Sequence, residues 1–258
     1  MERNHDVKCI IPSNELLQLQ KLERIRVSNF WYVEKVFEVE AMEGTNSVIV
    51  KEEEEEEEKE KAALELISQG TNSVLQTVVK IPYLTQLELK GLKRLKYIWK
   101  SNPHQGTILE FPNLTTLSIE LCKSLKHVFT SSMVSSLQQL QDLHVSCCEN
   151  MEVIVKEEEE EESECDAKVK EIVTLPCLKS LKLEKLQSLK GFYLGKDDFS
   201  LPSLHTLEIM ECPELTIFTT GYLDTPALNI IVTNFVMCYV KEDLNSFINT
   251  KLHEGFQF

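Results

Sequence analysis

Six copies of one apolar spacing run through the chain, and this repeat restricts the possible folds more than any other feature. In one copy the apolar residues advance by 3, 2, 3, 3 and 3 positions, at Leu84, Leu87, Leu89, Leu92, Leu95 and Ile98. We number the copies coil 1 to coil 6 by their first residues, and add a truncated coil 7: Leu22, Leu84, Leu114, Leu140, Leu178, Leu204 and Leu228. Such a repeat indicates stacked coils that bury one another's apolar side chains.

The spacing within each coil predicts its local structure. Residues two apart, such as Leu87 and Leu89, point to the same side of a short strand. The later three-residue steps fit a turning segment that brings one apolar side chain inward per turn. Since few residues separate the strands, we expect irregular segments or short 3₁₀ turns on the convex side. The strands should line up in parallel and bury Leu87, Leu89, Leu117, Ile119, Leu181 and Leu183.

The pattern L-x-x-L-x-L-x-x-C-x-x-L resembles the leucine-rich repeat. Its C-x-x-L ending, with F-P-N-L at 111–114 or L-P-S-L at 201–204 before the strand, is similar to repeats of plant intracellular disease-resistance receptors of the coiled-coil, nucleotide-binding, leucine-rich-repeat kind. The resemblance implies an α/β leucine-rich repeat solenoid, an irregular curved array with a parallel β-sheet on the concave face. The phosphate-binding motif G-x-x-x-x-G-K-[ST] does not occur, so we expect no ATP, ADP or other cofactor.

The repeats also define the predicted domain organisation. We assign 1–15 to an N-terminal extension, 16–234 to six full and one partial leucine-rich repeats, and 235–258 to a C-terminal cap or tail. Helical spacing in the tail favours a cap that covers the last coil, and a partner-binding helix is the alternative. The apolar residues with this spacing are Leu244, Phe247, Ile248 and Leu252.

Two acidic insertions interrupt the repeats, near 51–61 and 156–166. Their runs of seven and six glutamates, Glu52–Glu58 and Glu157–Glu162, account for most of the net charge of −15. Each run is preceded by V-I-V-K and follows the first repeat of a three-repeat block, which indicates that a block was duplicated with its insertion. We expect solvated loops, because like charges repel and bury no apolar surface. A polyanionic arm for a basic partner is the alternative.

Charge and hydropathy exclude other classes of protein. Outside the two runs the charge is close to neutral, so no surplus of Lys and Arg remains to neutralise phosphates, and we expect no nucleic-acid partner. The start of the chain lacks the apolar core of a signal peptide. The most apolar late stretch, I-I-V-T-N-F-V-M-C-Y-V, is too short to span a membrane. We therefore expect an intracellular protein in the cytoplasm, with the nucleus as the alternative.

Two functions of different classes follow from these features. The resemblance implies a protein-recognition module of plant innate immunity that senses a pathogen effector or a guarded host protein and restrains a nucleotide-binding domain. The alternative is an acidic leucine-rich-repeat chaperone for basic nuclear proteins, which salt-sensitive histone binding would favour. An enzyme has the least support: no G-x-S-x-G motif occurs, and the histidines lack metal-ligand spacing, so we expect neither catalysis nor a metal site.

Three cysteines, Cys122, Cys148 and Cys212, occupy the same position of the repeat. The resemblance implies that the residue there turns inward and helps to satisfy backbone groups of the loop. Cysteine suits this role because it is small, usually buried and a weak S–H donor. We expect inert, reduced thiols, so that all eight cysteines of the chain titrate under denaturant.

Alternation along the strands predicts a partner-binding surface, which we call the concave stripe. If Leu87 and Leu89 point inward, the residues on either side of them point out onto the concave face. Its charged members are four basic and five acidic residues, a mixture that suits a polar protein surface better than a phosphate backbone. The stripe comprises Arg24, Arg26, Ser28, Gln86, Glu88, Lys90, Thr116, Ser118, Glu120, Asp142, His144, Ser146, Ser180, Lys182, Glu184, Thr206, Glu208 and Met210.

Overall fold

The structure is a computed structural model, and it describes residues 8–38, 77–99, 107–158, 170–234, 237–239 and 244–248. In chain order the strands are β1 (Cys9–Ile11), β2 (Arg24–Ser28), β3 (Lys35–Phe37), β4 (Thr77–Lys80), β5 (Gln86–Lys90), β6 (Thr107–Glu110), β7 (Thr116–Glu120), β8 (Phe129–Thr130), β9 (Asp142–Ser146), β10 (Val153–Lys156), β11 (Ile172–Thr174), β12 (Ser180–Glu184), β13 (Gly191–Tyr193), β14 (Asp198–Ser200), β15 (Thr206–Met210), β16 (Leu223–Asp224), β17 (Ile230–Thr233) and β18 (Met237–Tyr239). The helical segments are α1 (Ser13–Leu16), a 3₁₀ turn (Leu17–Leu19), α2 (Ser131–Val134) and α3 (Leu244–Phe247).

Eight strands form one long sheet, which we call the concave sheet, in the order β18-β17-β15-β12-β9-β7-β5-β2. All neighbours in it run parallel except β17 and β18, which are antiparallel. Smaller parallel sheets are formed by β1-β3, β4-β6, β13-β10-β8 and β11-β14-β16. The chain winds as a parallel solenoid of about six turns with few and short helices. The predicted leucine-rich repeat solenoid and its parallel sheet are confirmed.

Strand register stacks equivalent residues of successive coils on one another. Leu87 pairs with Leu117, and Leu89 pairs with Ile119. The six residues predicted to be buried are at most 1% exposed, so the prediction is confirmed. Aromatic rings fill the space behind the concave sheet, where Trp99 lies edge-on to Phe111 with ring centroids 4.6 Å apart. Stacking therefore produces one continuous core from coils that could not bury their apolar stripes alone.

In each of coils 1 to 6, the residue just after the concave-sheet strand has the left-handed backbone conformation. These residues have positive φ angles between 52° and 68°, and five of the six are not glycine. In coils 1 to 5 the backbone N–H of this residue donates to a carbonyl of the next coil, as Asn29 does to Lys90 at 2.8 Å. The repeated inter-coil bond holds a conformation that costs an L-residue roughly 1–2 kcal/mol. The residues are Asn29, Gly91, Leu121, Cys147, Lys185 and Glu211.

Coil 1 departs from the expected burial. Leu22 and Phe30, which the repeat spacing places at inward positions, are 41% and 52% exposed. The expectation that stacked coils bury the apolar positions of every copy is therefore wrong for these two. The physical reason is that, among the described residues, no strand of the concave sheet precedes β2. Strand β1 pairs with β3 but leaves the concave-sheet strand β2 at the edge.

The other end of the solenoid is closed by side chains. Asn245 of α3 accepts hydrogen bonds from the backbone N–H groups of Phe218 and Thr219, at 2.8 and 3.2 Å, and donates to the Thr219 carbonyl at 3.0 Å. Asn234 accepts from the backbone N–H of Glu211 at 2.9 Å, in place of the carbonyl that the next coil supplies elsewhere. Leu244, Phe247 and Ile248 are buried, whereas Leu252 lies outside the described residues.

Most of both acidic runs, namely Glu52–Glu58 and Glu159–Glu162, lies outside the described residues. The second run begins within them. Glu157 accepts a hydrogen bond from the backbone N–H of Lys196 at 3.0 Å, and Glu158 accepts one from the Ser132 hydroxyl at 2.5 Å. Across the described ranges, no helix is long and apolar enough to cross a membrane.

Candidate functional site

The concave stripe forms a grid on the concave sheet because the strand register aligns it in three rows. Alternate residues along each strand are buried, so the residues between them face outward. The first row is Arg24, Gln86, Thr116, Asp142, Ser180 and Thr206. The second is Arg26, Glu88, Ser118, His144, Lys182 and Glu208, and the third is Ser28, Lys90, Glu120, Ser146, Glu184 and Met210.

Exposure varies along the stripe. Arg24, Arg26, Ser28, Lys90 and Asp142 are exposed, and most other members are half-buried. Ser146 differs from the prediction, because it is only 5% exposed. Its neighbours in the third row, Glu120 and Glu184, carry longer side chains on either side of it. The short serine therefore offers little surface to a partner.

One cluster of ion pairs crosses the N-terminal end of the stripe. The Arg26 guanidinium binds the Glu88 carboxylate through two contacts, Nε to Oε2 at 2.7 Å and Nη2 to Oε1 at 2.9 Å. These hydrogen bonds hold the pKa of Glu88 below its usual value. In the third row Lys90 Nζ lies 2.7 Å from Glu120 Oε2. Each pair joins adjacent strands. Because the paired charges are opposite, this end of the stripe has no electrostatic field of a single sign.

A second cluster lies toward the C-terminal end. Lys182 Nζ is 3.5 Å from Glu184 and 3.4 Å from Glu208, so it bridges two acidic residues. Lys185, just beyond the strand, lies 3.3 Å from Glu184. Burial alone would raise the pKa of Glu184, but hydrogen bonds from the two lysines hold it below its usual value. This end is therefore also internally neutralised.

Between the two clusters lies a polar centre that contains no ion pair among the described residues. We define it as Thr116, Ser118, Asp142 and His144. The Nε2 atom of His144 is buried and makes no hydrogen bond to any described residue. Burial lowers the pKa of His144, and the nearby Lys182 lowers it further, so the ring is neutral near pH 7. The buried nitrogen is not accessible to a partner, so the groups of the centre that a partner can reach are those of Thr116, Ser118 and Asp142.

The three equivalent cysteines lie behind the sheet and outside the stripe. Cys122, Cys148 and Cys212 are at most 4% exposed, as expected. The thiol of Cys148 donates to the Ser146 carbonyl at 3.3 Å, and that of Cys212 donates to the Met210 carbonyl at 3.4 Å. Burial raises the pKa of Cys212 to about 11, which keeps the thiol protonated. Cys148 and Cys212 are therefore structural hydrogen-bond donors.

Sequence reasoning missed an aromatic and basic group beside the stripe, in the loops after β2 and β5. Lys93 Nζ lies 4.5 Å from the centre of the Trp31 ring, and the Arg94 guanidinium lies 5.2 Å from that of Tyr32. Both rings are more than a third exposed. The run Phe30-Trp31-Tyr32 just after β2 was the available signal, since inner coils carry no such run after their strands. The cations cover ring faces that water would otherwise contact.

Metal chemistry has no candidate in the part of the chain that the structure describes, where no group of three or more His, Cys, Asp or Glu side chains could hold an ion. A shallow cleft lies on the outer side between β6 and α2, remote from the stripe in the repeat, and is lined by Ile108, Leu109, Glu110, Ser132, Met133, Ser135 and Ser136. The stripe remains the best candidate for function.

Comparison with known proteins agrees with this geometry. The family described as plant disease resistance protein RPS2-like, leucine-rich repeats, matches residues 2–149 and 136–223. The two matches overlap and together cover most of the chain, including every residue of the concave stripe. No curated protein and no solved structure matches the chain.

Proposed function

The chain belongs to the RPS2-like leucine-rich-repeat family of plant disease resistance proteins, and from this premise we propose that its concave stripe recognises a protein during plant defence. The partner is a pathogen effector or a guarded host protein. The same module restrains a nucleotide-binding domain, and it does so in the cytoplasm. The module itself is not catalytic. It acts by binding, through a surface that the repeat holds in a fixed register.

The polar centre is the observation that carries this proposal. Within each of the two ion-pair clusters beside it, the charges neutralise one another. The clusters therefore orient a partner more than they attract it. Thr116 and Ser118 are half-buried and Asp142 is exposed, and none of them forms an ion pair among the described residues. A partner can therefore hydrogen-bond to their hydroxyl and carboxylate oxygens.

The charge pattern supports a protein rather than a polyanion as the partner. Basic and acidic side chains alternate across the strands, as Arg26 with Glu88 and Lys182 with Glu208 do. A phosphate backbone would meet repulsion at every acidic position. A polar protein surface with charges of both signs can match such a grid.

Site-specific cross-linking tests where the partner binds. A photoreactive phenylalanine replaces Ser118 at the polar centre or, as the control, Ile172 on β11, which is 68% exposed and lies outside the concave sheet. In plant cell extract we expect one protein to cross-link at position 118 and not at position 172. Mass spectrometry then identifies that protein for purification.

Charge reversal tests the stripe against the purified partner. We expect the triple variant Arg24→Glu, Arg26→Glu and Lys182→Glu to stay folded and to weaken binding by at least about tenfold, or about 1.4 kcal/mol. The matched control reverses Lys170, Lys190 and Lys196, which are exposed residues outside the stripe. Equal affinity of both triple variants for the partner would place the binding site elsewhere.

The restraint of a nucleotide-binding domain needs a separate measurement. Added to such a domain from a protein of the same family, the wild-type chain is expected to slow nucleotide exchange. The triple stripe variant should slow it less than the triple control variant does. Equal exchange rates with and without the wild-type chain would remove this half of the proposal while leaving partner recognition intact.

A further inference from the structure

In coils 2 to 6, the turns that follow the strands of the concave sheet form one side of the solenoid, which we call the lateral surface. The turn of coil 2 buries Leu92, Leu95 and Ile98 and exposes the four residues between them: Lys93, Arg94, Lys96 and Tyr97. The equivalent turns are 121–128 in coil 3, 147–154 in coil 4, 185–192 in coil 5 and 211–218 in coil 6. This surface shares no residue with the concave stripe.

Charge is distributed unevenly along the lateral surface. At the four equivalent positions of each turn, coils 2 and 3 carry five Lys or Arg and no acidic residue, whereas coils 4 to 6 carry one Lys and three Glu. The first group is Lys93, Arg94, Lys96, Lys123 and Lys126, and the second is Glu149, Glu152, Lys190 and Glu214. We call coils 2 and 3 of this surface its basic half. It is basic although the whole chain carries a net charge of −15.

Two cations of the basic half have no acidic partner. The other three lie within 2.9 Å of a carboxylate oxygen, in the pairs Lys96 with Glu34, Lys123 with Glu149 and Lys126 with Glu152. Lys93 and Arg94 form no ion pair with any residue that the structure describes. They lie instead 4.5 and 5.2 Å from the centres of the Trp31 and Tyr32 rings. A ring beside a cation holds the side chain in place and leaves N–H groups available to a carboxylate.

Exposed apolar groups lie on the same two turns. The Tyr97 ring is 41% exposed and meets the His127 ring of coil 3 edge-on, with ring centroids 6.2 Å apart. Leu121, at the start of the turn of coil 3, is 37% exposed. Tyr and Arg are among the residue types that contribute most to binding energy at protein interfaces. The basic half therefore combines two available charges with an exposed aromatic ring.

The neighbouring acidic residues limit what can bind here. Glu149 and Glu152 of coil 4 border the basic half and would repel a long polyanion such as a nucleic acid. The lateral surface of a second copy offers few carboxylates, because these two glutamates are already paired with lysines and only Glu214 remains. A short acidic segment of a different protein meets neither obstacle.

We propose that the basic half of the lateral surface binds a short acidic segment of a partner protein, with carboxylates on Lys93 and Arg94 and an apolar side chain against Tyr97. The guanidinium of Arg94 suits a bidentate contact to one carboxylate, and Lys93 supplies a second charge. The site differs from the concave stripe, which carries charges of both signs, so it does not depend on what the stripe binds.

Fluorescence polarisation with the full chain tests the proposal. The probe is a short fluorescein-labelled peptide of glutamate and glycine with one phenylalanine. One control peptide replaces every glutamate with glutamine, and another replaces the phenylalanine with serine. The double variant Lys93→Gln and Arg94→Gln removes the two available charges. Its matched control, Lys190→Gln and Lys196→Gln, removes the same charge from exposed residues outside the basic half. Tyr97→Ser tests the apolar contact.

We expect the glutamate peptide to bind the wild-type chain and the Lys190 and Lys196 control equally, and to bind the Lys93 and Arg94 variant at least about tenfold more weakly. Glutamine peptide should bind the wild-type chain at least about tenfold more weakly than glutamate peptide. Tyr97→Ser should weaken binding of the glutamate peptide and leave binding of the serine peptide unchanged. Equal affinity of the two double variants, or of the glutamate and glutamine peptides, would overturn the proposal. The peptide pair decides even if a variant does not fold.

Two further measurements test for other occupants. A chain that lacks Glu52–Glu58 and Glu159–Glu162 should bind the glutamate peptide as the wild-type chain does. Binding at least about tenfold tighter would make the chain's own glutamates the occupant. A single-stranded oligonucleotide should compete less well than unlabelled glutamate peptide, and stronger competition would make the site one for nucleic acid. Either contrary result would overturn the acidic protein segment.

Discussion

Coil 1 and coil 3 carry the same repeat but bury it differently. In coil 3, Leu114 and Cys122 are fully buried, whereas their equivalents in coil 1, Leu22 and Phe30, are about half exposed. The strands themselves are alike, since Ile25 and Val27 of coil 1 face inward as Leu117 and Ile119 do. The difference lies in the neighbours. Coil 3 packs between two coils, and coil 1 packs against only one among the described residues.

This difference teaches that a repeat position specifies direction, and that the neighbouring coil specifies burial. At the C-terminal end the missing neighbour is replaced by single side chains. Asn245 and Asn234 supply the acceptors that a further coil would supply through its backbone. The β2 edge has no such replacement within the described residues. The two ends of one solenoid are therefore expected to respond differently to mutation.

The largest effect should come from the middle of the array. Leu117→Ala removes a fully buried side chain between two coils and is expected to cost about 2–5 kcal/mol, through lost transfer energy plus a cavity. Leu22→Ala makes the same chemical change at the open end and should cost less than about 1 kcal/mol. Urea unfolding of both variants measures the two free energies. Equal costs would mean that a neighbouring coil does not decide burial.

Replacing the terminal caps should have the next largest effect. Asn245→Ala leaves the N–H groups of Phe218 and Thr219 without their acceptor, and a loss of about 1–3 kcal/mol is expected because the site is half-buried. Asn234→Ala removes one bond at an exposed site, where water can take over, and should cost less than about 1 kcal/mol. Thermal unfolding ranks the two. A larger loss for Asn234→Ala would contradict the assigned roles.

Sequence reasoning predicted the inner coils well and the ends poorly, for one physical reason. Spacing alone determines that Leu87 and Leu117 lie on the buried side, because strand alternation is local. Whether Leu22 is covered depends on a coil that the repeat pattern cannot supply. Ser146 shows the same limit within the stripe, since its exposure depends on Glu120 and Glu184 in other coils.

The chemistry of the candidate site was likewise only partly predictable. Alternation assigned His144 to the outer face, but its unpaired Nε2 depends on how adjacent strands pack. The ion pairs follow from register, so Arg26 with Glu88 was within reach of the sequence once the coils were aligned. The aromatic contacts of Lys93 and Arg94 join two loops, and no repeat position encodes them.

A weaker effect is expected from pH, and it also separates an inner coil from coil 1. Arg26 of coil 1 and His144 of coil 4 lie in the same row of the stripe, but Arg26 is exposed and His144 is half-buried. Burial lowers the pKa of His144 from the usual 6.5. The unfolded chain therefore takes up this proton first as the pH falls. The contribution of the neutral His144 ring to the free energy of unfolding is fully present above pH 6.5. It is lost as the pH falls from there through the lower pKa of the folded chain.

The matched variant isolates that contribution. His144→Gln cannot titrate, so it should lose less stability than the wild-type chain between about pH 7.5 and about pH 5.5. Urea unfolding at both pH values gives the difference between the two proteins. An identical pH dependence would show that the imidazole at position 144 is as well solvated when folded as when unfolded.

The smallest effect should come from the acidic runs that follow coil 1 and coil 4. Deleting Glu52–Glu58 and Glu157–Glu162 together is expected to leave the thermal midpoint within about 2 °C, because like charges gain little from folding. The bonds of Glu157 and Glu158 to Lys196 and Ser132 are exposed and weak in water. Deleting Glu159–Glu162 alone is the control that keeps both bonds. A large loss of stability would make the runs part of the fold.

Residue-resolved hydrogen exchange tests most directly whether a neighbouring coil decides the state of each repeat. In β7, which has a strand on both sides, we predict protection at every backbone N–H from Thr116 to Glu120. In β2 we predict alternation, with Ile25 and Val27 protected and Arg24, Arg26 and Ser28 exchanging fast. Unbroken protection along β2 would contradict the account, because it would show that a further segment pairs with β2.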